Sequence, residues 1–235
     1  MSTSAGHATT PALAHLRLAA VAGVLGVVLP VTGLFVLPIW QFPGTSASAS
    51  QLRTFAIEHS SSFPAVMVLD AAGVALWMIF GAGVWLLLRE GDVSDGLLSA
   101  CFAFGFIGFT TLLLAGFVGA FLIAYRAPGI PDPRLLYDLT FALLAISGAP
   151  AAIALASYAM ATFSCKQLPR FTAWLAALAA VAHVVLLFSL VVPSGFFSLE
   201  GQVITVMPGL LFLWILVTGI TMLTTGDRAA VQART

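Results

Sequence analysis

An all-α bundle of six membrane-spanning helices is the fold class this sequence predicts, and three observations predict it. Of 235 residues, 60% are hydrophobic and 8% are charged, against roughly 45–50% and 25% in soluble domains. Mean hydropathy is +1.08. The apolar residues fall in six continuous runs, each long enough for the ~20 helical residues that a hydrocarbon core about 30 Å thick requires. The same runs exclude a membrane barrel, whose strands alternate apolar and polar residues over about 10 positions. A formal net charge of zero excludes a strongly basic surface, and with it nucleic acid as a partner.

The first run is about Leu18–Trp40, following Arg17. The second, about Phe63–Leu88, stops at Arg89-Glu90. The third, about Leu97–Tyr125, stops at Arg126 and the Pro128/Pro131/Pro133 cluster. The fourth is about Tyr137–Phe163, ending before Lys166. The fifth, about Phe171–Val192, follows Pro169-Arg170 and stops at Pro193-Ser194-Gly195. The sixth, about Val203–Thr224, precedes Gly226, Asp227 and Arg228. Gly and Pro within the runs do not argue against helix, because lipid offers the backbone no other partner.

Orientation follows from Lys and Arg in the short connections. Arg17, Arg89, Lys166, Arg170, Arg228 and Arg234 fall on one side; Arg53, Arg126 and Arg134 fall on the other. This six-to-three bias places both termini in the cytoplasm. The first run has a second reading as a cleaved signal peptide, with Thr45-Ser46-Ala47-Ser48-Ala49 as its exit. Its 23 residues are long against a signal core of roughly 7–15, and cleavage would not change the orientation of the rest. The expected location is a bacterial plasma membrane.

A single membrane domain is expected over residues 1–235, with no internal repeat and hence no transporter-like inverted pair of halves. In the long outer connection, Gln41–Ser62, Leu52, Phe55 and Ala56 share one helical face. That spacing predicts either a short amphipathic helix on the outer membrane surface or a solvated loop with one helical turn. The Pro-rich third-to-fourth connection should be stiff. Pro150 and Pro208 should kink the fourth and sixth helices. Gly105/Gly108, Gly116/Gly119 and Ala173, Ala176, Ala177 and Ala180 read as close-packing positions. Trp40, Tyr125, Tyr137 and Trp174 read as interface anchors.

Ionisable side chains inside a span cost about 2.5–3.5 kcal/mol each to insert and mark candidate sites. Asp70 sits seven residues into the second run, about 10 Å from its outer end. Asp138 opens the fourth run, and His183 lies about 13 Å from the outer end of the fifth. All three occupy the outer half, so an outward-facing polar pocket lined by Asp70, Asp138 and His183 is expected. Carboxylate and imidazole together suit a cation, a relayed proton or mixed N/O metal ligation. Each also has a structural reading. Asp138 at a helix start can stabilise the exposed N–H groups, His183 can bond between helices, and Asp70 can pair with Arg53, Arg134 or His183.

Other chemistries fail on residue count. A three-His zinc site is not available, because His7 and His15 lie in the N-terminal tail and only His59 and His183 remain. Bis-His haem needs two deep histidines. Cys101 and Cys165 form no Cys-x-x-Cys and face a reducing compartment. A retinal Schiff base needs a buried Lys, and the only lysine is Lys166. No phosphate loop or serine nucleophile elbow is present. Neither a cofactor nor a catalytic residue is therefore assigned.

Several stretches resemble a bacterial family of six-helix integral membrane proteins of unknown function, near the domain of unknown function numbered 4386. They are Gln51-Leu52-Arg53 with Glu58-His59-Ser60, Leu136-Tyr137-Asp138-Leu139, Leu168-Pro169-Arg170-Phe171, and Pro208-Gly209-Leu210 with Phe212-Leu213-Trp214. The resemblance implies architecture and location; it carries no reaction, substrate or catalytic residue. The expectation is a non-catalytic bundle that handles a small molecule or ion, or a subunit of a membrane complex. Its partners would be the lipid bilayer and either a second copy or another membrane protein. The alternative is a membrane enzyme acting on a lipid or envelope precursor at the outer leaflet.

Overall fold

The structure is a computed structural model that describes residues 10–44, 46–126, 129–165, 168–199 and 201–232. His7, Thr45, Pro128, Lys166, Glu200 and Arg234 lie outside the described residues. Among those described, every regular element is helical. They are α1 (Thr10–Val36), α2 (Ala49–Glu58), α3 (Ser62–Gly91), α4 (Leu97–Arg126), α5 (Arg134–Ile146), α6 (Gly148–Ser164), α7 (Arg170–Leu187) and α8 (Val203–Gln232). Six stretches are long and apolar enough to cross a membrane: Ala14–Val36, Ser62–Gly91, Leu97–Arg126, Arg134–Ser164, Arg170–Leu190 and Val203–Thr224. The chain is a multi-pass membrane protein with a six-span helical fold.

Several boundaries differ from those expected, each for a local reason. The fourth span breaks into α5 and α6 at Ser147, because Pro150 has no N–H to give the Ile146 carbonyl. Ser147 keeps helical angles (φ −60°, ψ −19°), and Ala151 N–H donates to its carbonyl at 3.1 Å, so the span continues across the break. α7 closes in a 3₁₀ turn, Phe188–Leu190, short of Val192. α8 runs on past Gly226, which therefore does not end it.

The spans close into a ring in chain order: α1 packs on α3, α3 on α4, α4 on α5 and α6, α6 on α7, α7 on α8, and α8 back on α1. The α1–α3 seam shows how small residues set the register. Ala19, Gly23, Gly26, Pro30 and Gly33 lie opposite Gly83, Phe80, Trp77, Gly73 and Asp70 respectively. Steps of three and four on both helices keep one face of each against the other, as in a close antiparallel pair. A Cβ on Gly26 would stand 2.5 Å from Trp77 Cδ1, and one on Gly73 would stand 2.6 Å from the Pro30 ring. At the last rung, Gly33 leaves room for the Asp70 carboxylate, whose Oδ1 is 3.3 Å from the Cβ position.

Towards the end where α1 begins and α8 finishes, the ring interior is filled by aromatic side chains. Trp214 meets Phe80, Phe102 and Tyr158 at centroid separations of 5.6, 6.4 and 5.0 Å. The α3–α4 turn at this end places Asp95 and Gly96 in the left-handed region (φ 53° and 90°). Asp92 Oδ2 accepts from Ser99 N–H at 2.8 Å, its Oδ1 accepts from Ser94 N–H at 2.9 Å and from the Ser94 hydroxyl, and Ser94 Oγ accepts from Leu98 N–H at 3.0 Å. These bonds satisfy N–H groups that the first turn of α4 leaves open. Partial burial pushes the Asp92 carboxyl up, but the bonds from Ser94 and Ser99 outweigh it and hold it at about 2, below the ordinary 3.8. Asp92→Ala is expected to cost about 0.5–2 kcal/mol, as lost caps do. The contribution is present above the unfolded value and disappears as pH falls from 3.8 through about 2. Melting curves of the two proteins in detergent, run at neutral pH and again in acid, should therefore converge in acid.

The opposite end is roofed by α2. Ser48 caps it, with Gln51 N–H donating to Ser48 Oγ at 3.3 Å and Ser48 N–H donating to Gln51 Oε1 at 2.8 Å. The amphipathic pattern is real, but its cover is protein: Leu52 and Ala56 pack in a buried cluster with Ile123, Tyr137, Phe141, Val203 and Ile204. Phe42 links the roof to the spans through Phe55, Phe63 and Phe141, at 5.3, 5.4 and 6.3 Å. Arg53 donates to the carbonyls of Ile130 and Pro131 at 2.7 and 2.6 Å, which ties α2 to the α4–α5 connection. The Tyr137 hydroxyl, expected as an interface anchor, donates instead to the Pro43 carbonyl.

Candidate functional site

Between the α2 roof and the aromatic plug lies a cavity of about 200 Å³ to which all six spans contribute. Pro30 and Leu34 come from α1, Asp70, Val74 and Trp77 from α3, Phe109, Leu113 and Phe117 from α4, Leu144 from α5, His183 and Leu186 from α7, and Ile204, Thr205, Pro208 and Gly209 from α8. Ser147, at the α5–α6 break, adds a hydroxyl. Its floor is aromatic, with Trp77 against Phe109 at 6.2 Å and against Phe212 at 5.1 Å.

The three expected site residues do not all meet. Asp70 and His183 line this one cavity. Asp138 does not: it is exposed, while its neighbour Tyr137 is buried. One residue is a 100° turn about a helix axis, and that turn carries Asp138 away from the interior. The pocket is therefore lined by Asp70 and His183 without Asp138.

The Asp70 carboxylate has no hydrogen bond or ion pair among the described residues, and the partners suggested for it are engaged elsewhere. Arg53 serves the Ile130 and Pro131 carbonyls. Arg134 is bound by Asp132, Nη2 to Oδ2 at 2.6 Å and Nε to Oδ1 at 2.9 Å; these bonds hold the Asp132 carboxyl at about 2. His183 is 1% exposed. Its Nδ1 lies 2.8 Å from the Ala179 carbonyl, and because a carbonyl only accepts, Nδ1 carries the proton. In the neutral ring Nε2 then keeps its lone pair, and it takes no hydrogen bond among the described residues. Phe109 meets the imidazole edge to face at 6.2 Å and 90°, and Gly148 lets α6 approach so closely that a Cβ there would lie 2.6 Å from the His183 carbonyl. The Ala179 bond and the Phe109 contact orient the ring, while Gly148 packs on its backbone.

Pro208, expected from the sequence to release a carbonyl, lines the cavity. Lacking an N–H, it cannot donate to the carbonyl of Ile204, and both residues line the cavity. The sequence alone does not place the cavity beside Pro208. Ser147 and Thr205 were not singled out from the sequence, since isolated hydroxyls are common in membrane helices. The site thus combines apolar walls with a carboxylate and an imidazole. Among the described residues no three His, Cys, Asp or Glu side chains gather as a metal-binding group would. His59 is occupied at the roof, with Nδ1 2.9 Å from the Phe55 carbonyl. No protein-family profile, curated protein or solved structure matches this chain.

Proposed function

We propose that this is a non-catalytic membrane bundle whose interior cavity holds a small, mostly apolar molecule through a protonated amine. The observation that carries the reading is the unpaired Asp70 carboxylate, facing the same cavity as His183, whose Nδ1 bonds the Ala179 carbonyl. The Asp70 oxygens and His183 Nε2 are acceptors on this wall, which also carries the Thr205 hydroxyl and the Trp77 Nε1–H donor. The complement of those acceptors is a donor, and an ammonium supplies three N–H groups with a charge to match the carboxylate. The Lys/Arg bias favours cytoplasmic termini, so the α2 roof faces outward. A bacterial plasma membrane, and membership of the six-helix family, rest on the short sequence stretches quoted above.

Hexylamine and hexanol, equal in length and differing in the charged head, test the reading. Ligand that binds only the folded state stabilises it by about 2.7 kcal/mol at 100 times Kd. In detergent, hexylamine should raise the melting temperature saturably, and hexanol should do so at much higher concentration. Equal stabilisation by both, or by neither, contradicts an amine site.

A further inference from the structure

We propose that the cavity receives its ligand from the bilayer, through a side window between α1 and α8, and that the ligand is a single-chain amphiphile with a primary amine head. The proposal rests on the amine-site reading above and adds the source and shape of the ligand. Towards the two ends of the bundle the cavity meets protein. At one end, buried Ile204 and Thr205 line both the cavity and a second pocket of about 250 Å³ that Trp40, Phe42 and Tyr137 also line. At the other lies the Trp77–Phe109–Phe212 floor.

The side is different. α1 and α8 touch near the terminal end, where a Cβ on Gly219 would sit 3.1 Å from the Ala20 carbonyl. Ten residues along each antiparallel helix, about 15 Å away, stand Pro30 and Gly209. Both line the cavity. Yet Gly209 is exposed, and a Cβ there would meet no atom within 4 Å. Val31 and Val206, beside the gap, are exposed and apolar, so the opening faces acyl chains. Volume supports the same ligand shape. About 200 Å³ falls below the roughly 300–1,000 Å³ of sites that enclose a drug-sized molecule. It takes a head and its first carbons, with the tail left in the window.

A maleimide fixed to the end of a phosphatidylcholine acyl chain cannot leave the bilayer and reports the route directly. The protein carries Cys101→Ala and Cys165→Ala, is placed in phosphatidylcholine vesicles, and bears Ser147→Cys on the cavity wall. Val74→Cys serves as a second reporter should the first fold poorly. The acyl-chain maleimide should modify the buried cysteine, and adding Gly209→Leu should reduce modification to the level of the cysteine-free protein. Modification by a charged, water-soluble maleimide alone, by neither reagent, or by the acyl-chain reagent regardless of Gly209→Leu would overturn the window. The hexylamine–hexanol comparison on the same protein separates the two ideas. Labelling that keeps its Gly209 dependence without a preference for the amine overturns the amine head and retains the window; the preference without the labelling retains the site and overturns the window.

Discussion

Asp70→Asn should weaken hexylamine binding roughly ten- to a hundredfold, because a hydrogen bond to a charged group is worth about 1.5–3 kcal/mol and each 1.4 kcal/mol is tenfold in Kd. The bundle itself should not suffer. Asp70 makes no hydrogen bond or ion pair to the described residues, so the exchange removes no protein contact and relieves a desolvated charge. Asparagine keeps the size that the Gly33 gap accommodates, where Asp70 Oδ1 stands 3.3 Å from the Cβ position. The measurement is a pair: Kd from titration calorimetry and melting temperature, on the same detergent preparation. A melting temperature lowered by several degrees with Kd unchanged would mean that Asp70 joins helices and does not bind ligand.

Gly105→Ala should destabilise the protein by about 1–3 kcal/mol, the usual cost of forcing extra volume into a packed interior. A methyl group at Gly105 of α4 would stand 2.7 Å from the Pro150 carbonyl and 2.8 Å from the Ala154 nitrogen on α6. Both are backbone atoms, so no side-chain rotation relieves the clash and the helices must separate. Gly209→Ala is the matched control, because its added carbon meets nothing within 4 Å. There the intrinsic preference of helices for Ala, about 0.5–1 kcal/mol, should appear as a small gain. Thermal or denaturant unfolding of the two variants checks the contrast. Equal stability of Gly105→Ala and wild type would contradict the α4–α6 packing.

The six spans could be read from the sequence because hydrocarbon imposes length and continuity, and charged or Pro-rich punctuation marks the ends. What could not be read is which way each helix is turned. In a soluble helix the polar side reveals the buried side; here residues facing lipid are as apolar as those facing the ring. Phe104 is 77% exposed and Phe102 is fully buried, yet composition does not separate them. Asp138 was placed in the pocket for this reason, while Asp70 and His183 reached the same cavity from different helices. The α2 pattern was legible, but whether membrane or protein covers Leu52 depends on contacts with Val203 and Ile204, about 150 residues away along the chain. The α1–α3 seam was within reach, since Gly23, Gly26, Pro30 and Gly33 recur at steps of three and four. That spacing in a span is the sign of a close partner.

Nitrogen NMR of His183, with ¹⁵N-labelled histidine and His7, His15 and His59 replaced, asks directly whether ligand and imidazole meet beside Asp70. Before ligand, Nδ1 should be protonated and Nε2 should carry the free lone pair. Hexylamine should shift the Nε2 signal in wild type, and in Asp70→Asn only at the higher concentrations that its weaker binding requires. Saturable hexylamine binding that leaves both His183 signals where they were would place the amine elsewhere and contradict the shared cavity.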